Sequence, residues 1–252
     1  MLEVEGLVRT FGAVEAIAGL DLSVAPGDCL GLIGPNGSGK TTLFNVVTGV
    51  YPPTAGRIRL DGEDIGGSKP DRIVNRGIAR TFQNLRVFER MTVFENVWAA
   101  QHRRGDVAPR ELLFARPSAE RARRAEIDAL LERAGLADRR DILAGGLPLP
   151  DQRRLELVRA LARGPRLLLL DEPAGGMTPA ETEGMAALIR EAAIPGRGCI
   201  VIEHKMEMIR ELCDRVCVLD FGRKIAEGSP DSVLRDDRVI EAYIGREVGD
   251  DA

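Results

Sequence analysis

Residues 34 to 42 read Gly34-Pro35-Asn36-Gly37-Ser38-Gly39-Lys40-Thr41-Thr42, a string whose residue types suit the binding of polyphosphate. Gly34, Gly37 and Gly39 carry no Cβ, so backbone N–H groups there can turn inward onto an anion. Lys40 offers a point charge for β- and γ-phosphates, and the Thr41 hydroxyl is a ligand for Mg²⁺. The string follows the apolar run Leu30-Gly31-Leu32-Ile33 and leads into the apolar-periodic segment Leu43 to Thr48. That order predicts strand, glycine loop and helix, and the helix start adds unpaired donors and its positive dipole end. Lysine is otherwise scarce, with only Lys69, Lys205 and Lys224 besides Lys40.

Two carboxylates form the second chemical group. Asp171 and Glu172 end the leucine run Leu167-Leu168-Leu169-Leu170, and the ends of parallel strands face the ligand crevice. One acid there can hold Mg²⁺, directly or through water, while the other orients and polarises an attacking water. His204 follows the apolar strand Ile200-Val201-Ile202-Glu203, a position from which a side chain reaches a γ-phosphate. Gln83 lies in Arg80-Thr81-Phe82-Gln83-Asn84. Asp220-Phe221-Gly222 spells a kinase metal motif, but no kinase catalytic loop precedes it, and its flanks read as a hairpin.

These residues need a scaffold, and 252 residues with 44% hydrophobic and 29% charged content can bury one large α/β core with an insertion. Short β-like pieces at Leu2-Val4, Val14-Ile17 and Leu20-Val24 precede the glycine loop. Strands follow at Arg57 to Leu60, Leu167 to Leu170, Ile200 to Ile202, Val216 to Leu219 and Lys224 to Ala226, with a helix near Pro179 to Ala193. From about Asn84 to Arg163 the chain is rich in Ala, Arg, Glu and Leu, and Ala125, Ile127, Leu130, Leu131 and Ala134 keep helical spacing. The expected organisation is a core from 1–83 and 164–230, a helical insert at 84–163 and a helical tail at 231–252.

No apolar run spans a membrane, and Met1 to Glu5 lacks signal-peptide layout, which predicts a cytoplasmic chain. The net charge of −4 argues against a nucleic-acid binder, and the basic stretch Arg116 to Arg124 reads as a solvated helix face. Cys29, Cys199, Cys213 and Cys217 sit beside apolar residues without metal-ligand spacing and read as buried reduced thiols.

Over nearly its whole length the chain resembles the ATP-binding subunits of ABC transporters. Gly34 to Thr41 match Walker A, Leu167 to Glu172 match Walker B, Gln83 the Q-loop and His204 the H-loop. Longer strings resemble the branched-chain amino acid importer ATPases: Arg80-Thr81-Phe82-Gln83-Asn84-Leu85, Met91 to Val97, Ile202 to Met206 and Val239 to Gly245. The resemblance implies a P-loop NTPase core of mainly parallel sheet, an N-terminal antiparallel β-subdomain and an inserted helical subdomain. It implies ATP and Mg²⁺ as ligands, with Thr41, Gln83 and Asp171 on the metal and Phe11 stacked on adenine. It also implies catalysis by Glu172 with His204 and Gln83, and ATP-driven closure of two nucleotide-binding subunits that pull on membrane partners. The expected partners are two membrane permease subunits, a second ATPase subunit and, indirectly, a solute-binding protein. The expected location is peripheral, on the cytoplasmic face of the inner membrane. Phe88, Met91, Val93 and Phe94 are apolar candidates for the membrane-subunit groove or for the core of the insert.

Three positions depart from the family pattern. Where Leu-Ser-Gly-Gly-Gln is expected, the chain has Leu147-Pro148-Leu149-Pro150-Asp151. The prolines remove backbone donors, and Asp151 is expected to bring a negative charge towards the partner's nucleotide. Thr178 replaces the usual D-loop Asp or Asn, and Lys205 stands where an Asp commonly follows the histidine. The degenerate signature favours a heterodimer in which the other ATPase subunit supplies an intact one.

Overall fold

The four leucines of β7 (Leu167–Asp171) are fully buried because the strand pleat sends them alternately into two cores. Leu167 and Leu169 join one cluster, Leu168 and Leu170 the other. β8 (Gly198–Ile202) repeats the pattern, with Ile200 and Ile202 on the first side and Cys199 and Val201 on the second. Burying each leucine gains about 1.5–3 kcal/mol, which is why an unbroken apolar run is a strand apolar on both faces.

The computed structural model describes residues 1–101 and 117–247; Arg116 of the basic stretch and the last five residues of the tail lie outside the described residues. Its six-stranded sheet has the order β10-β9-β3-β8-β7-β6, with β3 at Cys29–Ile33, β6 at Ile78–Arg80, β9 at Arg215–Asp220 and β10 at Arg223–Gly228. β9, β3, β8, β7 and β6 run parallel, and β10 turns back antiparallel at the edge. Asp220-Phe221-Gly222 is therefore the hairpin its flanks predict, and Phe221 and Gly222, with φ of 42° and 76°, give the two left-handed residues such a turn needs.

A second, antiparallel sheet has the order β2-β1-β4-β5, from β1 (Leu2–Phe11), β2 (Val14–Val24), β4 (Ala55–Leu60) and β5 (Glu63–Asp64). The separate pieces expected at 14–17 and 20–24 form one strand. Gly19, at φ 75°, is the extra residue of a bulge where Leu7 faces Leu20 and Val8 faces Ala18. The helix Lys40–Val47 buries Leu43, Phe44, Val46 and Val47 in the core shared by the two sheets.

Between β6 and β7 lie the helices Val93–Gln101, Pro117–Arg133 and Leu149–Leu161. Val97, Ile127, Leu131, Leu155 and Val158 bring them together on the other face of the large sheet. Ala125 points to solvent and Leu130 is half-buried, so the apolar stripe of Pro117–Arg133 is narrower than its sequence spacing suggests. The helix Pro179–Leu188 continues as a π-helical turn, Ile189–Ala193, and Met206–Leu212 packs beside it. The four cysteines are free and buried, with Cys29 and Cys213 sulfurs 3.8 Å apart.

Candidate functional site

Strand register brings the chemical residues level. Leu32 of β3 faces Ile202 of β8, which faces Asp171 of β7, so the loops leaving all three strands start at the same edge. Gly34 lies two residues beyond Leu32, His204 two beyond Ile202, and Glu172 directly follows Asp171. β6 ends at Arg80; Thr81 N–H then donates to Leu169 O (3.0 Å) and Thr81 Oγ1 accepts from Asp171 N–H (3.1 Å), so Gln83 leaves the sheet beside the carboxylates.

The loop itself depends on two glycines. A Cβ on Gly34, at φ 147°, would lie 2.0 Å from Leu219 O, and one on Gly39, at φ 106°, would lie 2.5 Å from Ala16 O. Both neighbours are backbone, so no rotamer change could make room. Lys40 is 7% exposed, and its ammonium donates to Gly34 O (2.7 Å), Pro35 O (2.9 Å) and Ser38 Oγ (3.4 Å). The cation is thus held against the loop by two of its own carbonyls and a hydroxyl.

Asn36, Gly37, Ser38, Gly39, Lys40, Thr41, Thr42, Gln83, Glu172 and His204 all line one cavity of about 200 Å³. Glu172 stands between the other two polar groups. Gln83 Nε2 lies 3.4 Å from its Oε2, and His204 Nε2 lies 3.3 Å from its Oε1. Its backbone is left-handed, at φ 48°, a conformation that costs a non-glycine residue about 1–3 kcal/mol and persists where surrounding contacts fix it. Here Glu172 N–H donates to Ile202 O (2.9 Å) and Glu172 O accepts from Gly175 N–H (3.0 Å).

Asp171 does not line the cavity directly. Its Oδ2 accepts from Arg80 Nη2 at 2.9 Å, in a pair whose side chains are 7% and 5% exposed. Arg80 also donates to Asn45 Oδ1 (2.7 Å) and lies over the rings of Phe44 and Phe82. Sequence reading assigned Arg80 no role. Arg153 and Glu156 on Leu149–Leu161 were missed too: Arg153 donates to Phe82 O (3.3 Å) and Gln83 O (2.9 Å), and Glu156 accepts from Phe82 N–H (3.2 Å). The helix of the signature region is thereby tied to the segment carrying Gln83. Burial pushes the Glu156 carboxyl above its ordinary range, opposed by the Phe82 N–H and by Arg153 and Arg159.

Phe11 closes β1 and is absent from the cavity lining. Its ring is 38% exposed, edge-on to Tyr51 at 5.1 Å, with the Arg9 guanidinium 4.4 Å from its centre. Thr178 caps the helix Pro179–Leu188, exchanging hydrogen bonds with Glu181. The expectation for Asp151 is corrected: the residue is buried and ion-paired with Arg139 and Arg154 inside the insert, so its charge is not aimed outward. Its N–H and that of Gln152 both donate to Pro148 O, at 3.1 and 3.0 Å. Of the groove candidates, Phe88 is exposed, Met91 half-buried, and Val93 and Phe94 belong to the core.

A glycine loop between a central parallel strand and a helix, faced by strand-end carboxylates and joined to an inserted helical region, defines a P-loop ATPase cassette. The chain belongs to the ABC transporter family, whose model matches residues 17–175, and a further model, branched-chain amino acid ATP-binding cassette transporter, matches residues 223–249. It is 40% identical over 249 residues to the high-affinity branched-chain amino acid transport ATP-binding protein BraF of Pseudomonas aeruginosa, covering 97% of this chain and 98% of that one. LivG of Escherichia coli, described in the same words, is 39% identical over the same span and coverage. The lipopolysaccharide export system ATP-binding protein LptB of Haemophilus influenzae is 32% identical over 98% of each chain. Two solved structures superpose with TM-scores of 0.85: a nucleotide-free ATP-binding cassette from an ABC transporter, at 32% identity over 97% of this chain and 99% of that one, and the ADP conformation of such a cassette, at 33% over 97% and 98%.

Proposed function

We propose that the chain is the ATP-hydrolysing subunit of an importer for branched-chain or related amino acids. The solute class rests on BraF and LivG being nearer in sequence than the lipopolysaccharide export protein, and on the second family match at residues 223–249. The observation that carries the chemistry is Glu172 held between Gln83 and His204 at the mouth of the glycine loop. The loop N–H groups and Lys40 bind the β- and γ-phosphates, Glu172 polarises the attacking water, and His204 and Gln83 orient the γ-phosphate and that water.

Thr41 and Gln83 would offer Mg²⁺ hard oxygen donors at the cavity, with Asp171, paired with Arg80 behind the lining, reaching it only through a water, and Mg²⁺ would neutralise phosphate charge. Among the described residues no group of three or more His, Cys, Asp or Glu could hold a metal ion, which suits an ion completed by phosphate oxygens and water. Phe11 is the ring on which adenine would stack, on the face away from Arg9.

Among the described residues no helix is long and apolar enough to cross a membrane, which fits a peripheral subunit on the cytoplasmic face of the inner membrane. One of the two permease subunits would dock in the groove lined by Phe82, Arg86, Phe88, Arg159 and Arg163, where an apolar floor carries a cationic rim. A solute-binding protein would act indirectly, through the permeases. The second ATPase subunit would carry an intact signature, because Pro148 and Pro150 have no N–H and those of Asp151 and Gln152 are turned onto Pro148 O.

The test is Glu172→Gln in the assembled complex. ATP affinity should be retained and turnover should fall by about 10²–10⁴-fold, as for loss of a positioned base, whereas Lys40→Ala should lose affinity. Wild-type turnover in Glu172→Gln would remove Glu172 from the base role. Equal losses of transport from this substitution and from the corresponding one in the second ATPase subunit would reject the asymmetric pair.

A further inference from the structure

The ammonium of Lys205 has three N–H donors, and three acceptors meet it: Ala174 O at 3.1 Å, Met177 O at 2.8 Å and Thr182 Oγ1 at 2.8 Å. All three belong to the segment that follows Glu172. Two residues earlier in sequence, Glu203 is 3% exposed, and its Oε1 accepts from Ala174 N–H at 2.9 Å. Its Oε2 accepts from the N–H groups of His204 (3.0 Å) and Lys205 (3.3 Å). Ala174 is therefore gripped on both sides, its N–H by Glu203 and its C=O by Lys205. The residue between these two is His204, whose Nε2 faces Glu172 Oε1 at 3.3 Å.

We propose that Lys205 is a positioning residue for ATP hydrolysis: it staples the segment after Glu172 to the loop carrying His204 and so fixes Glu172 against His204. The need for a staple is visible in the backbone. Glu172 is left-handed, and nothing in its own side chain favours that conformation, so contacts on either side must hold it. The backbone bond from Glu172 N–H to Ile202 O fixes one side. On the other, Gly175 N–H closes a turn onto Glu172 O and Glu203 holds Ala174 N–H, and Lys205 ties the carbonyl side of the same loop through Ala174 O and Met177 O before Thr178 caps the next helix. An apolar side chain of similar length would leave two carbonyls and a hydroxyl of buried residues without that donor, so the loop would shift and carry Glu172 with it. A shift of about 1 Å at a catalytic group is enough to lower a rate about 10²-fold without touching substrate binding.

The proposal rests on the reading of Glu172 as the group that polarises water, and the experiment separates the two. Lys205→Met keeps the length and removes the donors; Lys205→Arg keeps donors and charge. In the complex with its partner subunits, Lys205→Met should lower single-turnover ATP hydrolysis about 10–100-fold while ATP affinity stays within about twofold, and Lys205→Arg should recover most of the rate. Amide hydrogen exchange in the full chain should rise at Ala174 and Gly175 in Lys205→Met and stay unchanged in β7 and β8. An unchanged rate in Lys205→Met overturns the proposal, as does a loss of rate and ATP affinity together that Lys205→Arg does not rescue. Should Lys205→Met not fold, Thr182→Val removes one acceptor and must show a smaller loss in the same sense, about 3–10-fold; no loss there overturns it too. If Glu172→Gln hydrolyses ATP normally while exchange at Ala174 still responds to Lys205→Met, the base assignment fails and the staple stands.

Discussion

Removing Arg80 should destabilise the protein more than its place outside the cavity lining suggests. Its guanidinium meets Asp171 Oδ2 at 2.9 Å with both side chains almost fully buried, so Arg80→Ala strands a carboxylate that water barely reaches. Losing one partner of a buried pair costs about 3–5 kcal/mol, chiefly because the other charge stays behind. The lost bond to Asn45 adds about 0.5–1.5 kcal/mol. For a chain of this size each kcal/mol lowers Tm by about 2–4 °C, so the melting point of the full chain should drop by about 7–25 °C. The decisive comparison is Arg80→Ala/Asp171→Asn, which removes the stranded charge: it should melt above Arg80→Ala although it carries one substitution more. Measured by circular dichroism, a drop of less than about 2 °C in Arg80→Ala would refute the buried-pair argument. So would a double variant melting below the single one, because the guanidinium would then act through its ring and amide contacts instead of the carboxylate.

Three further outcomes follow from burial. Phe88 is 50% exposed in the arginine-rimmed groove, so Phe88→Glu should change stability by less than about 1 kcal/mol yet prevent recovery of the membrane subunits with the tagged chain. Phe94 is 9% exposed, and Phe94→Ala should cost about 3 kcal/mol in urea unfolding; a stable Phe94→Ala would remove it from the core. Glu156 holds its proton more tightly in the folded state than its ordinary pKa of 4.5 allows, so stability should fall as pH rises from about 4.5 through the raised folded value. Glu156→Gln, which keeps an acceptor for Phe82 N–H, should flatten that slope; identical slopes in the two proteins would show that Glu156 does not titrate across folding.

What the chain reveals before folding depends on how local the physics is. The glycine loop was legible because its glycines, lysine and threonine act within nine residues, and the close approaches at Gly34 and Gly39 to Leu219 O and Ala16 O give those glycines their reason. The leucine run was legible because two opposite cores demand it. Gln83, Glu172 and His204 could be ordered along the chain but not placed, since their meeting follows from the register of β6, β7 and β8. Arg80 was hidden by abundance: Lys and Arg together number 35, and no local pattern marks the one that reaches Asp171.

Asp151 is the instructive error, because its signal was in the sequence. Asp151, Leu155 and Val158 are spaced i, i+4 and i+7, one face of a helix, and the buried Leu155 and Val158 fix that face inward. Counted from the helix, Asp151 had to point into the insert, where Arg139 and Arg154 neutralise it. Counted from the family pattern, it seemed to point at a phosphate. Asp151 therefore puts no repulsive charge before the partner's nucleotide, and the proposed asymmetry follows from backbone donors. Pro148 and Pro150 have none, and Pro148 O takes the next two. A helix start reduced to the Leu149 N–H offers a γ-phosphate fewer hydrogen bonds than an uninterrupted one, and no side-chain substitution at Asp151 would restore them. The change that would is Pro148→Ser together with Pro150→Gly, which returns a capping hydroxyl and two N–H groups to the same tip.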